Sequence, residues 1–343
     1  MYARTWLCMG GCALAIQWLA GCALQKKDDG EAFRDAVPQS EAVSLSGPDT
    51  ASGMTSTASA PPPRSALDTT PSPVPYAKWY GFTRDERDGV NAITADVLGS
   101  VWLIIQSEPS TVMQDSATWG PYTDELDPAT YRFRVTRIAQ DEYNYVLEGR
   151  PKASTSDADY QAVLTGHGYG TPHPMHGQGT FSIDLDTAKA LDPYKHPNDS
   201  GSASVVYDLP HDFSENLGAL PRTITATVTP AGEAHYSVES IANLDHTGNI
   251  YVTAHVDIDP SMLTKLEDVT VNSRWNSTGA GRADITITGG DLPASTPVVD
   301  AVECWGTDFT QSYYNDSVDF APSAGDANAC VYQSAAAAPA PTP

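Results

Sequence analysis

Positive charge is scarce in this chain. Nineteen Lys and Arg stand against 43 Asp and Glu in 343 residues, giving a formal net charge of −24 and a pI near 4.4. Nucleic acid and anionic lipid surfaces need clustered cations, and a field of this sign repels both. Familiar catalytic signatures are missing too. There is no Gly-x-Ser-x-Gly elbow, no His-Glu-x-x-His pair, no Walker loop, and no Gly-x-Gly-x-x-Gly opening a helix after a strand. Cysteine is limited to five residues, and no Cys-x-x-Cys redox pair occurs. The only long apolar run, Trp6 to Ala20, is interrupted by Gln17 and is short for a membrane span of about 20 residues.

What that run does offer is an address. Arg4 precedes it, and it ends in Leu19-Ala20-Gly21-Cys22. This stretch resembles the lipobox of bacterial lipoprotein signal peptides. The resemblance covers residues 1–22 and implies cleavage after Gly21, with diacylglycerol carried on Cys22 of the mature protein. It implies a cell-envelope location anchored to a membrane through that lipid. Ala23 at the next position, where Asp commonly retains such proteins in the inner membrane, points to the outer membrane in a Gram-negative cell. The alternatives are an ordinary secretory signal or a simple N-terminal anchor.

Residues 22–75 read as the lipidated cysteine followed by a disordered tether. Ser, Thr, Pro, Ala and Asp dominate there, and Phe33 is the only aromatic. A flexible chain of that length averages roughly 40 Å end to end. Residues 334–343, rich in Ala and Pro, read as a disordered tail. Almost all of the net negative charge therefore falls on residues 76–333, expected to form a single domain. No internal repeat is evident.

Within that domain, Val90, Ile93, Val97, Val101 and Ile104 recur at three- and four-residue spacing, predicting an amphipathic helix over 84–107. Asp85, Glu86 and Asp88 suit its first turn and Pro109 its end. Beyond Thr130 the period becomes two, from Tyr131/Phe133/Val135 through Ile250/Val252/Ala254/Val256 to weaker runs near 235–242 and 298–305. Such one-sided alternation with short connections predicts an all-β-dominated, antiparallel domain of about eleven strands. The strands would form a curved half-barrel, a barrel or a sandwich, with one N-terminal amphipathic helix packed on it. The half-barrel uses the broad helix face best. In architecture alone it resembles the lipid- and lipoprotein-carrying half-barrels of bacterial envelopes.

With Cys8 and Cys12 in the signal and Cys22 lipidated, Cys304 and Cys330 are left as an even pair, read as a disulfide. His167, His173 and His176 share a Gly- and Pro-rich segment and supply a candidate zinc site, although the same composition describes a solvated loop. Asp184, Asp186, Asp192, Asn198, Asp199, Asp257 and Asp259 supply calcium-type oxygens in no recognised loop spacing. Trp79-Tyr80-Gly81-Phe82 and Trp119-Gly-Pro-Tyr122 flank the helix as aromatic clusters, favoured as core caps over a sugar or lipid pocket. The expectation is an envelope lipoprotein, without a resident cofactor, whose β domain binds an apolar or amphipathic ligand between helix and sheet. The alternatives are a structural or partner-binding envelope protein, and a metal-dependent hydrolase using the three histidines.

Overall fold

The structure, a computed structural model, describes residues 29–48, 76–210, 221–258, 265–319 and 321–336. Cys22 and the whole lipobox lie outside the described residues, as do Asp259 and the end of the tail.

Among the described residues fifteen strands form one open antiparallel sheet in which each strand pairs with its neighbours in sequence. They are β1 (Thr111–Met113), β2 (Ser116–Tyr122), β3 (Ala129–Ala139), β4 (Glu142–Pro151), β5 (Gln161–Tyr169), β6 (Gly177–Asp184), β7 (Ser202–Leu209) and β8 (Arg222–Thr229). Then follow β9 (His235–Ala242), β10 (Gly248–Val256), β11 (Glu267–Trp275), β12 (Gly281–Gly289), β13 (Val298–Trp305), β14 (Gln311–Asp316) and β15 (Ala324–Gly325). Every alternating run read from the sequence is one of β3 to β13. The four others lack the period: β1 is exposed throughout, β2 contains Gly120 and Pro121, β14 reads Gln-Ser-Tyr-Tyr-Asn-Asp, and β15 is two residues long. Burial alternates along the regular strands, so one face carries the core.

The main helix, α2 (Lys78–Ile105), begins six residues before the expected start. Its first turns hold Trp79, Tyr80 and Phe82, while Asp85 and Glu86 fall in later turns. Ala77 at the N-cap offers no side-chain acceptor. The cap comes instead from Glu303 on β13: Oε1 accepts from Lys78 N–H at 2.7 Å, and Oε2 accepts from Trp79 and Tyr80 N–H at 2.7 and 3.1 Å. Those N–H groups have no partner inside the helix, and a carboxylate is their best acceptor. At the other end Arg34 donates through Nε to Ile105 O at 2.6 Å. The helix is long and apolar enough to cross a membrane by length and composition. It packs instead against β2 and β3 as well as β10 to β13, so the sheet curls around it.

Residues 29–48 correct the tether reading of 22–75. They contain α1 (Asp29–Asp35), and Phe33, Val37, Ala42, Val43 and Leu45 are buried. Asn91 of α2 holds Leu45 at both backbone groups, at 2.8 and 3.0 Å, and buried Arg222 donates to Ala42 O at 2.7 Å. The composition is poor in apolar residues, but the few present are spent against the sheet and helix rather than against one another. The expected tail is also shorter: Asn272 donates to Ala336 O, so 334–336 lie against the sheet. Cys304 and Cys330 form the expected disulfide, with Cα atoms 5.4 Å apart, tying the C-terminal segment to β13.

One repeat does exist. The turns 243–247, 276–280 and 306–310 close with the same pair of backbone hydrogen bonds and the same left-handed residue, His246, Gly279 and Phe309. Trp275 and Trp305 each lie over the glycine that opens the preceding hairpin's second strand, Gly248 and Gly281. Each donates its indole N–H to the carbonyl of that hairpin's left-handed residue, His246 and Gly279.

Candidate binding trough on the outer face of the sheet

The concave side of the sheet is filled by its own side chains and those of α2. Trp119, Phe133, Tyr145, Leu164, Ile183, Leu98, Ile105 and Trp305 are fully buried there. Residues 29–48 complete the packing. Between helix and sheet the buried side chains of the two belong to one continuous core.

A depression of about 700 Å³ lies on the opposite face across β3 to β7. Two files of side chains build its floor. Arg134, Val146, Thr165, Ser182 and Ser204 stand side by side in register, and beside them run Thr136, Asn144, His167, Thr180 and Val206. Neighbours in a file are one strand spacing apart, about 4.8 Å, so the floor is a grid of hydroxyls and methyls. Gly166 and Phe181 show through from the inner file. Gly166 has no side chain because the Tyr145 ring lies where its Cβ would be.

His167 is locked in this grid. Its Nδ1 lies 2.8 Å from Asn144 Oδ1, its Nε2 lies 3.2 Å from Glu142 Oε1, and Tyr169 packs beside the ring at 5.8 Å. No Asp or Glu lines the trough, although the chain carries 43. The nearest carboxylate to Arg134, Glu148, is engaged by Arg132 at 2.8 Å and stands 3.9 Å from Arg134. Arg134 is half exposed and is the one fixed positive charge in the lining. By contrast the outward positions of β9 and β11 to β13 carry Glu239, Asp268, Asp284 and Asp300. The trough offers hydrogen-bond donors and acceptors, apolar contact and one cation.

The three histidines expected to share a zinc ion are not assembled. His167 has the partners just named, while His173 and His176 stack on each other with centroids 3.9 Å apart, and His173 Nδ1 accepts from Met175 N–H. Among the described residues no three His, Cys, Asp or Glu side chains form a group able to hold a metal. Of the positions considered for calcium, Asp184, Asp192 and Asp199 serve local structure. Asp184 caps α3 (Leu185–Leu191) and Asp192 accepts from Tyr194 and Lys195 N–H. Asp199 meets His196 at 2.8 Å, and Asp186 sits in the first turn of α3. Of the aromatic clusters, Trp119 is fully buried on β2 and donates to Ser107 O, as core packing requires.

No protein-family model, curated protein or solved structure matches this chain. The site is therefore defined by its geometry alone. Of its lining only His167 was singled out by type. The other positions were legible as the polar partners of each alternating strand, but which of those outward files would face a depression depends on how the sheet curls.

Proposed function

We propose that this chain is a lipid-anchored envelope protein, held by diacylglycerol on Cys22, whose β domain binds an amphipathic small molecule in the trough across β3 to β7. The observation that carries the reading is the chemistry of the lining. A depression of about 700 Å³ on a chain of net charge −24 is free of carboxylates and combines Thr and Val methyls with hydroxyls, one amide and Arg134. Pockets for small ligands pair apolar walls with a few placed polar groups in this way. Arg134 suits an anionic or strongly dipolar head, and the methyl files suit an apolar body.

The test uses the chain with Cys22→Ala, exported in soluble form, and an amphipathic anionic dye, anilinonaphthalene sulfonate, as probe. Dye binding that is abolished by Ser182→Trp, which fills the floor, and weakened by Arg134→Glu supports the trough. Binding equal in all three chains places the dye elsewhere and removes the proposal.

A further inference from the structure

We infer that the hairpin tips at one end of the sheet, those of β1–β2, β3–β4 and β5–β6, rest on the headgroup surface of the bilayer. The inference depends on the lipid at Cys22 and asks which face of the domain that lipid brings to the membrane.

Two observations meet at this end. First, α1 is packed there: Phe33 lies edge-on to Tyr143 at 6.1 Å, the Arg137 guanidinium covers its ring at 5.1 Å, and Gln39 N–H donates to Pro174 O. Six residues separate Cys22 from Asp29, so the lipidated cysteine stands at most about 25 Å of extended chain from α1. β3, with its eleven residues, is itself on the order of 35 Å long. The lipid cannot reach past the sheet to the opposite end.

Second, the tips at the anchored end present apolar side chains to solvent. Met113 is 64% exposed, Ile138 49% and Tyr169 46%. They come from three successive hairpins, whose tips lie about two strand spacings apart, near 10 Å. Apolar and aromatic side chains on loop tips insert at the boundary between headgroups and acyl chains. Asp115, Asp141 and Glu142 stand on the same tips, so the surface that fits is zwitterionic rather than anionic. The opposite end also exposes apolar groups, Leu126 at 94% and Tyr194 at 90%, but it lies beyond the reach of the anchor. His167 and Tyr169 pack together, so the trough opens beside the membrane-facing rim.

The experiment uses the full lipidated chain reconstituted in phosphatidylcholine–phosphatidylethanolamine vesicles. With Cys304 and Cys330 joined, a cysteine introduced by Met113→Cys, Ile138→Cys, Leu126→Cys or Ser295→Cys is the only free thiol and takes an environment-sensitive dye. Dyes at 113 and 138 should shift to the blue and be quenched by spin-labelled lipid, while those at 126 and 295 stay in water. Shielding at 126 or 295, or none at any position on vesicle-bound protein, overturns the docking. The lipid reading is checked separately by Cys22→Ala, which should move the protein from the membrane to the soluble fraction. A Cys22→Ala chain that stays on the membrane defeats the anchor and the docking argument with it.

Discussion

Glu303 is buried with its carboxylate on three backbone N–H groups of α2, and its removal should be the most damaging single change in the sheet. Glu303→Ala leaves those donors without the acceptor; at about 1–3 kcal/mol for each unsatisfied buried group, the cost should be on the order of 4 kcal/mol. The pH dependence is the sharper test. Burial pushes the carboxyl up from its ordinary 4.5 to about 7, against the downward pull of the three N–H groups and Lys78. A group with a raised folded value binds its proton more tightly in the folded chain. Its contribution is present in full below pH 4.5 and is lost as pH rises towards 7. A tenfold change in proton affinity is worth about 1.4 kcal/mol, so the loss reaches about 3 kcal/mol. Other carboxylates titrate in the same window, so the quantity to follow is the difference between the natural chain and Glu303→Gln. Urea unfolding from pH 4 to 8, followed by tryptophan fluorescence, should show that difference turning against the natural chain as pH rises and levelling above 7. A difference that is flat, or that grows in favour of Glu303 with pH, would show that the helix N–H groups outweigh burial and would refute this account.

Two further outcomes test the packing. Cys304→Ser should lower stability by about 3–4 kcal/mol from loop entropy alone, the two cysteines being 26 residues apart, read as a fall in the urea midpoint under oxidising conditions. Reduction of the natural chain should reproduce that fall; no change would mean the C-terminal segment is held without the bond. Gly166→Ala should cost about 2 kcal/mol, because the new Cβ meets the Tyr145 ring beneath the trough and one of them must move. Thermal unfolding at the natural chain's temperature would show an ordinary, roomy site.

The period-two signal located β3 to β13, because burial on one side is what makes residues alternate over a regular run. It was silent for β1, β2, β14 and β15, where edge exposure, Gly120-Pro121, adjacent tyrosines among polar residues or a length of two leaves no clear alternation. The helix face was legible, with Val90, Val97 and Val101 buried as spaced, but its start was not. Its cap arrives from 225 residues away, and no local rule contains it. A trace was present in β13, where Val299, Ala301, Glu303 and Trp305 form one buried file and an acid in an apolar file needs a partner. The trough was not legible because outward Thr and Ser describe a solvated face equally well, and only the three-dimensional course of the five strands sets a depression there.

Residues 29–48 change what the anchor means, and Phe33 decides the matter. If this stretch were part of a tether, Phe33→Ala would alter stability by less than about 0.5 kcal/mol, as surface substitutions do. As packed, the ring is fully buried between Tyr143 and the Arg137 guanidinium, and truncation should cost about 3–5 kcal/mol. Urea unfolding of the soluble Cys22→Ala chain with and without Phe33→Ala separates the two by an order of magnitude. On the proposed lipid anchor, a large loss means that the first folded element follows Cys22 within a few residues, so the domain would be held against the membrane rather than suspended from it. A loss within error would detach 29–48 from the fold, lengthen the effective tether to the full 22–75 segment, and remove the reach argument that turns the tips of β1 to β6 towards the bilayer.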